Sequence, residues 1–83
     1  MSTRSPPADD EIDVRGLLCP LPVLKARKRL QSMKTGQILR ILATDPAAAI
    51  DFPHFCSESG NELLEASQGP DGLQFIIRKN HGK

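Results

Sequence analysis

Apolar residues recur along this chain with two different periods, and the changes of period mark its elements. Glu11-Ile-Asp-Val-Arg15 alternates polar with apolar, which predicts a short strand with Ile12 and Val14 turned to a core. Gly16 punctuates it. Pro20 then opens a helical segment to about Met33, in which Val23, Ala26, Leu30 and Met33 form one stripe flanked by Leu24. Thr35-Gly36 ends that helix, glycine being the usual residue just past a helix end. Gln37 to Ala43 predicts a second strand, whose Ile38, Leu39, Ile41 and Leu42 point to both faces and so suit a central place in a sheet. Thr44-Asp45-Pro46 is a helix start, with Asp45 as the cap and Pro46 where a missing N–H does no harm. Ala47 to about Ser59 is helical in pattern, but Pro53 predicts a break near Phe52. Gly60-Asn61 closes the segment. Glu62 to Gln68 and Leu73 to Lys79 are two further strands, joined by the strong turn chemistry of Gly69-Pro-Asp-Gly72.

The order β-α-β-α-β-β predicts an α/β (α+β) two-layer sandwich, a four-stranded mixed sheet with two helices on one face. Eighty-three residues allow one domain. Its expected bounds are residues 11–79, with residues 1–10 a disordered N-terminal tail and 80–83 a C-terminal tail, both polar. That leaves about seventy residues, near the lower limit for one apolar core without staples.

Composition narrows the function classes. Trp and Tyr are absent, which argues against a large aromatic binding groove. The longest apolar run, Ile38 to Ala43, is interrupted by Arg40 and is far shorter than the roughly 20 residues of a membrane span. Met1 to Pro7 lacks the apolar stretch of a signal peptide. The expectation is a cytoplasmic chain in a reducing compartment, with Cys19 and Cys56 as thiols. The two Cys and the two His, His54 and His81, lack zinc-ligand spacing, so no metal is expected.

Net charge is only +1, but the charges are segregated. Asp9, Asp10, Glu11 and Asp13 make an acidic entry, whereas Lys25, Arg27, Lys28, Arg29 and Lys34 follow with no acid among them. This basic stretch has two readings of equal weight. One is a solvated helix face with favourable charge near a helix C-terminus; the other, with Arg15, is a docking face for an acidic partner.

The chemistry concentrates at Cys19-Pro20-Leu21-Pro22, where a strand hands over to a helix. Cys19 is expected at or just before the helix N-cap, where it meets the positive end of the dipole and unpaired N–H groups, both favouring thiolate. The Cys19 pKa is therefore expected below the free value of about 8.5. Pro20 and Pro22 offer no N–H, leaving the amides of Leu21 and Val23 as the nearest donors. Their fixed φ angles stiffen the first turn and, with Gly16 before it, hold the thiol in a set, exposed position. Such a thiolate can attack the outer sulfur of a donor persulfide and later surrender that sulfur, by the rules of thiol–disulfide exchange. Neither metal nor organic cofactor is needed, and no general base is evident nearby; Arg15 is the only charge close in sequence.

Asp13-Val-Arg-Gly-Leu-Leu-Cys-Pro-Leu-Pro-Val23 resembles the CPxP signature of the TusA family of sulfur-carrier proteins, also called SirA-like. Met33-Lys-Thr-Gly36, Ala43-Thr-Asp-Pro46, Asp51-Phe-Pro-His-Phe-Cys56 and Phe75-Ile-Ile-Arg-Lys79 continue the resemblance in order and spacing. It implies a two-layer α/β fold with a persulfide carried on Cys19. It implies sulfane sulfur accepted from a cysteine desulfurase or rhodanese-like protein and passed to an acceptor protein, a relay rather than a multiple-turnover enzyme alone. In the best-known case that relay leads to 2-thiolation of the wobble uridine in tRNA; other members serve molybdenum cofactor synthesis, sulfur oxidation or redox control.

The remaining chemistry-bearing residues favour plainer roles. Cys56, between Phe55 and Ser57, is expected as a buried, inert thiol, the alternative being a resolving partner for Cys19. His54 is expected partly buried between Phe52 and Phe55, and His81 idle in the tail. A nucleic-acid-binding module is the competing class, but stacking readers place aromatics on exposed strand positions and only Phe75 is available, so no direct nucleic-acid contact is expected. A thiol-based redox regulator would use the same Cys19, though the absence of a CxxC pair argues against oxidoreductase chemistry.

Overall fold

The computed structural model describes residues 8–80. In chain order the elements are β1 (Asp10–Asp13), α1 (Leu21–Gln31), β2 (Ile38–Ala43), α2 (Ala48–Ser59), β3 (Glu62–Gly69) and β4 (Gly72–Arg78). The four strands form one sheet in the order β1-β2-β4-β3. β1 runs parallel to β2, and β4 lies antiparallel to both β2 and β3. The expected mixed sheet and element order are therefore those of the structure. Asp9 and Asp10, placed on sequence in the N-terminal tail, are bound into it: the Asp9 N–H donates to the Ile38 carbonyl at 2.8 Å, and Asp10 begins β1. Asn80, placed on sequence in the C-terminal tail, is likewise held, its N–H donating to Asn61 Oδ1 at 3.0 Å; residues 1–7 and 81–83, His81 among them, lie outside the described residues.

Alternation along the central strands explains the two layers. Leu39, Ile41 and Ala43 of β2 and Phe75 and Ile77 of β4 are buried and join one cluster with Ala26, Leu30 and Met33 from the α1 region and Ala48, Phe52 and Cys56 from α2. Ile12 and Val14 extend the cluster to the β1 edge, as the alternation predicts. Phe52 and Phe75 meet at its centre, ring centroids 4.7 Å apart. The other sheet face carries the intervening residues: Ile38, Arg40 and Leu42 of β2 are partly exposed, while Ile76 of β4, opposite Arg40, is fully buried.

Two helix boundaries differ from expectation, and both differences have local causes. α1 ends at Gln31 rather than about Met33, because the Ser32 side chain turns back to the Arg29 carbonyl at 2.8 Å and closes the last turn. Gly36, at φ +93°, then redirects the chain into β2. α2 shows no break at Phe52: it is continuous with Pro53 inside it. Pro53 deprives the Ala49 carbonyl of its helical donor, but Ala49 and Pro53 both lie on the exposed side, where water can serve that carbonyl. The buried side, Ala48, Phe52 and Cys56, holds the helix to the sheet across the defect, which costs about 3 kcal/mol in an isolated helix.

Candidate functional site

Cys19 lies in the connection between β1 and α1, and three backbone anchors fix that connection. Gly16 adopts φ +86°, a conformation open to glycine at little strain, and its N–H donates to Thr44 Oγ1 at 2.8 Å. The Leu17 N–H returns to the Val14 carbonyl at 3.2 Å while its side chain packs on the core. The Cys19 N–H donates to Asp45 Oδ2 at 2.7 Å. The other Asp45 oxygen accepts the Ala47 N–H at 3.1 Å, so one carboxylate both organises the entry to α2 and clamps the cysteine. Asp45 is thus not the N-cap itself, a position held by Ala47; it acts two residues earlier.

The helix start puts Cys19 just before the N-cap, one of the two expected places, and the choice matters for the sulfur. The N-cap of α1 is Pro20, not Cys19, and Leu21 is the first helical residue. The Cys19–Pro20 peptide is cis. The Leu21 N–H is already spent on the Leu18 carbonyl at 2.8 Å, so it is no donor to Cys19. Pro22 is buried and anchors the first turn to the core.

Instead of helix amides, acidic side chains act on the thiol. A hydrogen bond to the Asp51 carboxylate is the main cause of a Cys19 pKa raised above the ordinary thiol value, followed by desolvation and by the charges of Asp51 and Asp45. The expectation of a depressed pKa is therefore overturned: exposed Cys19 rests as a thiol. Arg15 does not offset this. Its Nε and Nη2 fork onto Asp13 at 2.9 and 2.8 Å, and that pairing holds the Asp13 carboxyl down to about 2. Nothing local in the sequence pairs Asp51 with Cys19. The tertiary packing of the α2 start beside the α1 start brings them together.

Exposed apolar side chains occur next to Cys19 in the chain and elsewhere on the two helices. Leu18 is 67% exposed, and Leu21, Leu24 and Ile50 are also open; these are the exposed large apolar side chains among the described residues. Leu18 and Leu21 flank Cys19 in sequence, and Ile50 adjoins Asp51. Isolated apolar residues on a surface need no explanation; Leu18 and Leu21, exposed within two residues of Cys19, are the pair that bears on contact at the thiol.

The basic residues divide rather than form one face. Lys25 and Lys28 are exposed on α1, where Leu21 and Lys25, and Leu24 and Lys28, are neighbours at helical spacing. Arg29 turns toward β1 and pairs with Asp10 at 2.7 Å. Arg27 lies on the opposite side, in a groove between the helices of 620 Å³ shared with Val23, Leu30, Phe55 and Lys79. Cys19 lines neither this groove nor the one beside Lys25, Lys28 and Arg29. The thiol is presented outward, not enclosed.

Cys56 is buried in the core, and burial pushes its thiol up to about 11. It is not bonded to Cys19. His54 is exposed rather than half-buried, 3.9 Å from Glu58 one helical turn on. No group of three or more His, Cys, Asp or Glu suited to a metal occurs among the described residues. No helix among them is long and apolar enough to cross a membrane.

Comparison with known proteins bears on this site. The family described as sulfurtransferase TusA matches residues 10–79. The chain is 44% identical over 72 residues to the sulfur carrier protein TusA of Allochromatium vinosum, covering 87% of this chain and 95% of that one. It is 49% identical over 68 residues to a candidate sulfur carrier of Neisseria meningitidis serogroup A, and 42% identical over 69 residues to one of Archaeoglobus fulgidus; each match covers 82% of this chain and 90% of the relative. With a match that spans the sheet, both helices and the Cys19 loop, the chain belongs to the TusA family of sulfur carriers.

Proposed function

We propose that Cys19 accepts a sulfane sulfur as a persulfide and relays it to an acceptor protein. The donor is a cysteine desulfurase or a rhodanese-like protein. The thiol sulfur attacks the outer sulfur of the donor's persulfide, one S–S bond forms as another breaks, and the donor is left as a thiol. The reverse geometry delivers the sulfur onward. The group carried is bound covalently, and the step calls on no metal or organic cofactor. The observation that supports this reading most is a thiol fixed at its backbone by Asp45 yet open to solvent, flanked in the chain by the exposed Leu18 and Leu21. A carrier must let another protein's sulfur reach its own, and a protruding cysteine suits that better than a cleft.

The relatives' names say sulfur carrier and go no further. For the pathway we propose supply of sulfur for tRNA wobble-uridine 2-thiolation, with molybdenum cofactor synthesis and sulfur oxidation as the alternatives. Lys25 and Lys28, exposed on α1, suit the acidic rim of a partner, and Arg27, in the groove between the helices, would extend that contact toward α2.

Incubation with a desulfurase and cysteine should add the mass of one sulfur atom to the peptide containing Cys19. Cys19→Ser should abolish the gain and Cys56→Ser should not. A sulfur found only on Cys56 would refute the assignment.

A further inference from the structure

Of the backbone amides in residues 17–21, that of Cys19 alone reaches another part of the chain among the described residues. The Leu17 and Leu21 N–H groups return to the Val14 and Leu18 carbonyls of their own loop, and Pro20 has no N–H to offer. The Cys19 N–H instead crosses to Asp45 Oδ2, 26 residues on, at 2.7 Å. We propose that Asp45 is a positioning residue of the sulfur relay: it fixes the backbone beneath the exposed thiol so that the sulfur meets a docked partner's persulfide in line. This inference rests on the relay reading above and adds what sets its rate once a partner has docked.

The residue type fits the task. Holding two N–H groups at once takes two acceptors on one short stem, and a carboxylate has them: Oδ2 serves Cys19 and Oδ1 serves Ala47 at 3.1 Å. Pro46 keeps the preceding Asp45 out of the helical conformation, so the residue belongs to the connection and not to α2. Ala47 leads straight into α2, whose Ala48 and Phe52 are buried in the core. The carboxylate therefore ties the cysteine to a packed helix rather than to its own loop. Thr44, one residue earlier, takes the Gly16 N–H on Oγ1 at 2.8 Å, so two consecutive side chains hold both ends of residues 16–19. Every one of these anchors acts on backbone and leaves the sulfur itself exposed.

The exchange needs such an arrangement. Cys19–SH and R–S–SH give Cys19–S–SH and R–SH. The Cys19 sulfur supplies the electron pair of the new S–S bond, the donor's inner sulfur leaves with the pair of the old one, and the proton given up by Cys19 is replaced on the departing thiolate from water. Attack is productive only along the line of the bond that breaks. A loose backbone would spread the approach of the thiol over many directions, most of them idle. A small electrophile can tumble to meet the sulfur; a persulfide held on a docked protein cannot.

Asp45→Ser separates positioning from folding, because one hydroxyl can still serve the Ala47 N–H but cannot serve Cys19 as well. With a cysteine desulfurase and cysteine as donor and the carrier at increasing concentration, the maximal uptake rate should fall by roughly tenfold or more while the half-saturating concentration stays within about twofold. The high-pH plateau of Cys19 alkylation by iodoacetamide, where all the thiol is ionised, should also stay within about twofold. Asp45→Asn, with one acceptor oxygen in the same shape, should lose about threefold or more in maximal uptake, and it carries the same test if the serine variant does not fold. A raised half-saturating concentration with the maximal rate intact would make Asp45 a docking residue and overturn the proposal. A common fall in uptake and in the alkylation plateau would make it a support of the fold, and unchanged uptake would leave it no part in the relay; each overturns the proposal too. An unmodified chain that gains no sulfur at all would sink the relay reading itself, and this role with it.

Discussion

Cys19 and Cys56 both have thiols that hold their protons above the ordinary range, and the causes are opposite. At Cys19 a hydrogen bond to Asp51 leads, and the sulfur is open to solvent. At Cys56 burial against Ala48, Phe52 and the sheet does all of it and carries the value to about 11. A shift made by a neighbouring charge can be reversed locally, by a partner's cation, by a moved proton or by one substitution. A shift made by burial is undone only when the domain opens. The fold thus holds one adjustable thiol and one fixed one, and the adjustable one is the better carrier of a transferable group.

The comparison breaks most visibly along α2, which carries Cys56 on its buried side and, in its first turn, the exposed Ile50 and the Asp51 that acts on Cys19. Phe52 is fully buried against Phe75, and Phe52→Ala should cost about 3–5 kcal/mol in urea unfolding and expose Cys56 to alkylation. Ile50, 75% exposed on the same helix, should change stability by about 0.5 kcal/mol or less when replaced by Ala, yet slow uptake from a protein donor. Equal losses of stability at the two positions would remove the distinction between the faces.

A second test is smaller and reaches the clamp on Cys19 from behind. Gly72 begins β4 at φ +121°, and a Cβ there would lie 2.5 Å from the Ala43 carbonyl oxygen and 3.1 Å from Thr44 Cγ2. Ala43 leads directly to Thr44 and Asp45, which hold the N–H groups of Gly16 and Cys19. Gly72→Ala should therefore cost about 1–3 kcal/mol and also alter the alkylation rate of Cys19. Gly69→Ala, with open space at its Cβ on the other side of the same turn, should leave that rate unchanged. The same rate in both variants would mean that the hairpin does not brace the site.

What could be read from the sequence was what neighbouring residues decide. The alternation at Ile12 and Val14, the stripe of Ala26, Leu30 and Met33, and the Gly69–Gly72 turn each specify an element locally, and their order left few ways to close two layers. The Cys-Pro-Leu-Pro run singled out Cys19 as the candidate residue for the same reason. Pro53 misled because its effect depends on which side of α2 faces water, a fact of packing. The charge state of Cys19 misled because the Leu21 N–H is taken by the Leu18 carbonyl, and because the charges of Asp45 and Asp51 come from α2 and the segment entering it rather than from the cysteine's own loop. Residues that act on a site from another element leave no local period or spacing to find.

The account stands or falls on the resting state of Cys19, and the pH dependence of its alkylation reads that state directly. For a thiol with its pKa raised in the fold, the reactive thiolate appears only as pH climbs past the free value of about 8.5. In the folded, unloaded chain the rate of iodoacetamide labelling at Cys19, mapped by mass spectrometry, should reach half its plateau above that value and move down in Asp51→Asn. A midpoint at or below the free value in the unmodified chain would contradict the account and return control of the sulfur to the helix dipole.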